Sequence, residues 1–287
     1  MSDAADRAAG GDAPARRRPR FGRLAISPAI GLVLLAIFLA SAFAPGAIAP
    51  YDPNLLDYAV LLQPPSWSHP FGTDNLGRDM LSRVVWAASV DLQIAVFSTA
   101  FPVVFGTFAG ALIGYYGGVA DHLFGRLVDV VVTVPFLVLV IAIVAVLGPG
   151  LINLYVAVSA VGWVAFARLV RSEMIVQKKR DYAAAGRVMG FGDFRIIFGH
   201  LLPNAITPTL VYWMTDLSLA ILLGSSLGYL GLGAQPPTAE WGVLIADGRN
   251  FMTTAWWMSI FPGIAIVVAG TSFSLIGDGL AQWLQPE

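Results

Sequence analysis

A few places along the 287 residues bring together side chains able to do chemistry. His69, Asp74 and Asp79 combine an imidazole with two carboxylates, the raw material of a metal site. One histidine with two carboxylates on a turn-rich stretch fits no calcium or transition-metal ligand pattern. A loop held by Asp turns and Arg–carboxylate contacts is expected instead, with no metal. Gly224-Ser225-Ser226-Leu227-Gly228 has the letters of Gly-x-Ser-x-Gly, in which a serine on a strained turn attacks an acyl carbon. Such a serine needs a base, yet His69, His122 and His200 fall in loops or at helix boundaries, and small residues at a helix–helix contact give the same letters. With no cysteine there is no thiol nucleophile, thiolate metal site or disulfide. No glycine-rich loop ends in Gly-Lys-Ser/Thr, and the lysines are Lys178 and Lys179 alone, so the chain cannot cradle ATP phosphates unaided. No catalytic residue is assigned, and no cofactor is expected to bind the chain directly.

The elements that position these residues follow from composition. The chain is 57% hydrophobic and 12% charged, with a mean hydropathy of +0.72, against about 25% charged in an ordinary soluble domain. An all-α integral membrane protein is expected. The formal net charge of −1 gives no basic field for nucleic acid. A spanning helix needs roughly 20 apolar residues, and intervals nearly free of Asp, Glu, Lys and Arg hold six: one in 24–51, one in 92–120, two in 130–167 divided by Gly148-Pro149-Gly150, one in about 207–230 and one in 251–277. Lysine and arginine accumulate on the cytoplasmic side. With the N-terminus inside, Arg7, Arg16, Arg17, Arg18, Arg20, Arg23, Arg126, Arg168, Arg171, Lys178, Lys179, Arg180, Arg187 and Arg195 lie in the cytoplasm and only Arg78, Arg83 and Arg249 outside. Both termini are therefore expected in the cytoplasm. Residues 1–23 read as a disordered basic tail touching lipid, 24–88 as the first span plus an external loop, and 89–287 as a core of five spans. The first apolar run is too long for a signal-peptide core.

Three segments outside the spans are large enough to carry function: an external loop at about 46–88, a cytoplasmic loop at about 171–205 and an external segment at about 231–256. In the cytoplasmic loop a small-residue helix with Ala183, Ala184, Ala185 and Gly186 ends at a glycine, Gly190 or Gly192, and a second amphipathic helix begins near Asp193. A partner can approach such a helix closely, with Tyr182, Met189 and Phe191 as anchors. Seating at lipid headgroups through Arg187 and Arg195 is the competing reading. Asp216 is costly in a span and is expected to face a pathway or a polar partner.

This loop resembles the inner-membrane permease subunits of binding-protein-dependent ABC importers. Their signature is Glu-Ala-Ala, three residues, Gly, nine residues, a hydrophobic residue, any residue, Leu and Pro. Here Ala184-Ala185-Gly186, Gly190 and Leu202-Pro203 keep every spacing, with Ala184 in place of the glutamate and His200 in the hydrophobic slot. His69-Pro70-Phe71-Gly72-Thr73-Asp74 through Gly77-Arg78-Asp79, Tyr115-Tyr116-Gly117-Gly118, Leu230 through Pro237 followed by Glu240-Trp241-Gly242, and Gly277-Asp278-Gly279-Leu280 are similar to the C-type permeases of dipeptide, oligopeptide or nickel importers. Asp91, Asp216 and the poorly basic C-terminal end depart from that pattern.

The resemblance implies a type I importer permease fold in the cytoplasmic membrane of a prokaryote. It implies a second homologous permease, two ATP-binding subunits that carry ATP and magnesium, and an external substrate-binding protein. Tyr182, Ala184, Ala185, Gly186, Arg187, Met189, Gly190, Phe191, Arg195, His200 and Pro203 would couple to the ATPase, and Gln235, Glu240 and Trp241 would belong to the pathway or outer gate, with Asp216 added to the pathway on the cost of placing it in a span. Trp256 and Trp257 read as interfacial belt residues. Dipeptides or oligopeptides are the expected cargo and nickel the alternative; a secondary transporter and an intramembrane serine protease are remoter rivals.

Overall fold

The computed structural model describes residues 26–284, so the tail 1–23 lies outside the described residues. Those residues form helices and connecting turns, with one isolated antiparallel bridge between Thr73 and Asp79. In chain order the helices are α1 (Ile26–Phe43), α2 (Pro45–Ile48), α3 (Met80–Tyr116), α4 (Gly118–Thr133), α5 (Phe136–Leu147), α6 (Leu151–Gln177), α7 (Asp181–Val188), α8 (Asp193–Ile196), α9 (Leu202–Ala205), α10 (Thr207–Tyr229), α11 (Trp241–Gly248) and α12 (Trp257–Leu284). A π turn, Ile197–Leu201, joins α8 to α9.

Helices α3, α6, α10 and α12 are each long and apolar enough to cross a membrane, and α4 with α5 form a further candidate span bent by 83°. The bend has a local cause. Proline at 135 disfavours helical backbone at the preceding residue, and Val134 is extended at φ −93° and ψ 131°. The turn expected at Gly148-Pro149-Gly150 is present, because α5 stops at Leu147 and α6 restarts at Leu151 with Gly148 and Gly150 at φ +91° and +137°. Helix α3 differs from expectation: it starts at Met80, well ahead of the charge-free interval at Leu92, with Asp79 as its N-cap accepting from the Ser82 amide. Its 37 residues carry Arg83 and Asp91, both buried, so the charges that interrupt the apolar run lie inside protein and not in lipid.

Small residues hold the bundle together. Gly106, Gly110 and Gly114 recur every four residues along one face of α3. A side chain at any of them would run into α6, at 2.5 Å from the Trp163 carbonyl, 2.5 Å from the Ala167 carbonyl and 2.8 Å from the Arg171 carbonyl respectively. Close backbone approach of this kind is how helices associate where lipid supplies no hydrophobic drive. Gly31 on α1 and Gly279 on α12 admit Leu275 and Pro28 in the same way. One apolar cluster joins Phe38, Leu217, Ile221, Trp241, Leu244 and Phe273 at the end carrying the 46–79 loop. Another joins Val170, Met174, Ile196, Ile197 and Leu201 at the opposite end.

Candidate functional site

At the loop end Asp74 is the centre of a buried ionic knot. Its Oδ1 accepts the backbone N–H groups of Leu76 and Arg78 at 2.8 and 2.9 Å, and its Oδ2 accepts Arg78 Nε at 2.6 Å and Arg83 Nη1 at 3.0 Å. Asp247 on α11 stands 3.8 Å from both guanidinium groups. Asp79 caps α3 through Ser82 and binds His69 Nδ1 at 2.9 Å. His69 and Asp79 thus pair with each other while Asp74 holds the two arginines, and no group of three metal-ligating side chains occurs among the described residues. Trp257 departs from the belt reading: it is buried and its indole donates to the Thr73 carbonyl at 3.0 Å, whereas Trp256 is exposed.

Beside the knot, the start of α11 is pinned between α3 and α10. Asp91 Oδ2 accepts the Trp241 amide at 3.2 Å and Oδ1 accepts Ser225 Oγ at 3.4 Å. Glu240 caps α11, accepting the Gly242 and Val243 amides at 2.7 and 3.0 Å, and burial holds its carboxyl above the usual carboxylate range. Trp241 donates to the Val84 carbonyl at 3.0 Å and packs on Phe38. Both Glu240 and Trp241 are buried. Gln235 is exposed and donates to the Gly231 and Gly233 carbonyls at 3.2 and 3.1 Å. The glycines of the Gly-x-Ser-x-Gly letters have packing roles. A side chain at Gly228 would collide with the Glu240 carboxylate, and one at Gly224 with Ile94. Ser226 Oγ donates to the Leu222 carbonyl within its own helix, which is no nucleophile's geometry.

At the opposite end the segment 178–206 folds back on the bundle. Gly190, at φ +78°, closes α7: its amide donates to Arg187 and the Phe191 amide donates to the Gly186 carbonyl, both at 3.0 Å. This is the left-handed stop that glycine permits. Gly192 instead precedes α8 with φ −68°, and Asp193 is the first residue of that helix, not its cap. The Asp193 carboxylate accepts the Tyr115 hydroxyl at 2.6 Å, and Lys178 Nζ donates to the Gly114 and Tyr115 carbonyls at 2.8 and 3.2 Å. These contacts tie the end of α6 and the start of α8 to the end of α3.

The expected anchors divide. Ala183 and Gly186 are buried, whereas Ala184, Ala185, Arg187 and Met189 are exposed. Phe191 turns inward, lies 3.5 Å from where a Gly186 side chain would begin, stacks on His200 at 5.5 Å and is covered by the Arg195 guanidinium at 4.0 Å. Tyr182 donates to Gln177 at 2.8 Å, and partial burial raises its phenol. Pro203 is exposed. The free apolar surface consists of Val188, Met189 and Phe194, at 89, 63 and 76% exposure. Val188 and Phe194 escape the motif because they fall at its unspecified positions. The fourth feature is a cleft at the α4–α5 bend, into which Asp216 faces.

Residues 103–287 match the family described as binding-protein-dependent transport system inner membrane component. The chain belongs to this family. It is 40% identical over 262 residues, covering 89% of this chain and 86% of the relative, to the di/tripeptide transport system permease protein DppC of Pseudomonas aeruginosa (strain UCBPP-PA14). The glutathione transport system permease protein GsiD of Pectobacterium atrosepticum is 39% identical over 269 residues, with 93% and 89% covered. The dipeptide transport system permease protein DppC of Haemophilus influenzae is 38% identical over 265 residues, with 90% of each covered. This permease is therefore an inner-membrane transport component, and its fold and the family agree on an all-helical membrane body.

Proposed function

We propose that this chain is one of two homologous permeases of an ATP-driven peptide importer. The observation that carries this is the 40% identity to a di/tripeptide permease along 89% of the chain. The relatives' names favour peptides over nickel, and they support dipeptides and short oligopeptides as the cargo class.

In this reading α1, α3, the bent pair α4–α5, α6, α10 and α12 are six spans and both termini are cytoplasmic, an orientation supported by the basic residues of the N-terminal tail and of the 178–206 segment. The 46–79 loop and α11 then face outside, where a substrate-binding protein docks. Helix α7 with Gly190 is the coupling helix, and Val188, Met189 and Phe194 are the apolar contacts set into a groove of the ATPase. Arg187 and Arg195 lie on its rim. Lys178 at the end of α6 and Asp193 at the start of α8, both bonded to the Gly114–Tyr115 end of α3, hold the two flanks of α7, so motion of the ATPase passes to the longest helix of the bundle. Two ATPases bind ATP and magnesium; the permease contributes no nucleotide site and catalyses no bond cleavage. Reconstitution of the complete importer in liposomes tests the reading: ATP-dependent, binding-protein-dependent uptake of labelled dialanine is expected, and ATP hydrolysis without peptide uptake would overturn the cargo.

A further inference from the structure

The cleft at the α4–α5 bend holds charges that the bundle itself does not neutralise. It measures about 550 Å3, within the roughly 300–1,000 Å3 of small-ligand pockets. Its walls are mainly apolar, from Pro102, Val131, Pro135, Val161 and Leu223. Two opposite charges line it, Asp216 from α10 and Arg168 from α6. Among the described residues no ion pair joins these two to each other or to any other group. Arg171, on the next turn of α6, is by contrast held by Asp121 at 2.5 and 2.8 Å. An ionisable group at membrane depth is costly to bury and marks a pathway by default. A second cleft of about 480 Å3 shares Arg168 and Tyr212 and runs on past Arg171 and Ser172 toward the end of α6.

We propose that this cleft is a cargo subsite in which Asp216 receives the terminal ammonium of a short peptide and Arg168 its terminal carboxylate. The inference rests on the peptide-importer reading and deepens it. A free peptide carries one positive and one negative end whatever its side chains, and an extended dipeptide spans roughly 7 Å at about 3.3–3.6 Å per residue. A guanidinium is the preferred fork for a carboxylate. The apolar walls leave side chains unread, and a half-buried carboxylate with an exposed guanidinium holds a ligand weakly enough to release it, as a conducting site must. Tyr212, Ser98 and Ser226 add neutral polar atoms to the same lining.

The test uses the complete importer in liposomes with its binding protein, and measures labelled dialanine moved per ATP hydrolysed. Asp216→Asn and Arg168→Gln are each expected to lower that ratio at least tenfold, while Asp216→Glu stays within threefold of wild type. Copurification of all subunits verifies assembly. Should Asp216→Asn not assemble, Arg168→Gln, exposed on the cleft wall, carries the same ratio. An unchanged ratio, whether both rates persist or both fall together, overturns the subsite; a partner helix filling the cleft would give that result. A wild-type complex that hydrolyses ATP and moves no peptide overturns the peptide reading and this inference with it, before any variant is compared.

Discussion

Replacing Asp74 with alanine removes the acceptor of four hydrogen bonds at once, two from backbone amides and two from guanidinium groups. Arg78 and Arg83 are 8 and 2% exposed, and the carboxylate left to them, Asp247, stands 3.8 Å away. Breaking a buried ion pair by deleting one partner costs about 3–5 kcal/mol, because the other charge is left without compensation. At roughly 2–4 °C per kcal/mol for a domain of this size, Asp74→Ala should lower the unfolding temperature by about 6–20 °C. Asp74→Asn keeps an Oδ1 acceptor for the two amides but puts an amide NH2 where Oδ2 accepts both guanidinium groups, so it strands the same two charges and a loss of about 3–5 kcal/mol, close to that of Asp74→Ala, is expected. Adding Arg83→Met to Asp74→Ala removes one stranded guanidinium, and the double variant should lose less than the sum of the singles by about 1–3 kcal/mol. Tryptophan fluorescence during heating of the detergent-solubilised permease follows the unfolding, and one of the eight tryptophans, Trp257, donates to the Thr73 carbonyl beside the knot. A shift below 2 °C for Asp74→Ala, or strict additivity in the double variant, would refute the reasoning.

Four more outcomes follow from the geometry. Met189→Asp places a carboxylate on the exposed apolar tip of α7 and should abolish copurification of the ATPase while leaving membrane insertion intact; retention of the ATPase would remove α7 from the coupling role. Gly190→Val forces a β-branched residue to φ +78°, costing about 1–2 kcal/mol in left-handed backbone alone, and should weaken ATPase association in the same pull-down. Ser226→Ala breaks only an intrahelical bond to Leu222 and should change melting by less than about 0.5 kcal/mol, like a typical surface substitution. Gly228→Ala, which drives a methyl into the Glu240 carboxylate, should melt markedly earlier than wild type.

Much of the bundle is legible in the sequence because lipid allows only continuous apolar helices. The turn at Gly148-Pro149-Gly150 and the stop at Gly190 are legible because positive-φ backbone selects glycine. The bend at Pro135 is not, since Val130 to Leu147 reads as one uninterrupted apolar run. The start of α3 is hidden for the opposite reason: Arg83 and Asp91 look like water-facing charges until Asp74, Ser225 and Trp241 are seen to satisfy them. The coupling motif marks where a partner can approach but not which side chains point at it. Phe191 is drawn inward by His200 and Arg195, and Val188 and Phe194 take the exposed places. Trp241 proves a buried support of α11 because residues far away in sequence, Asp91 and Val84, supply its partners, while Glu240 is buried as that helix's cap.

The central claim is that this chain works as half of a membrane pathway driven by other subunits. A tag placed after Glu287, mild-detergent purification and mass spectrometry of every copurifying chain test it most directly. Recovery of a second homologous permease together with ATP-binding subunits is the predicted result. Repeated recovery of this chain alone, in native-like lipid, would contradict it.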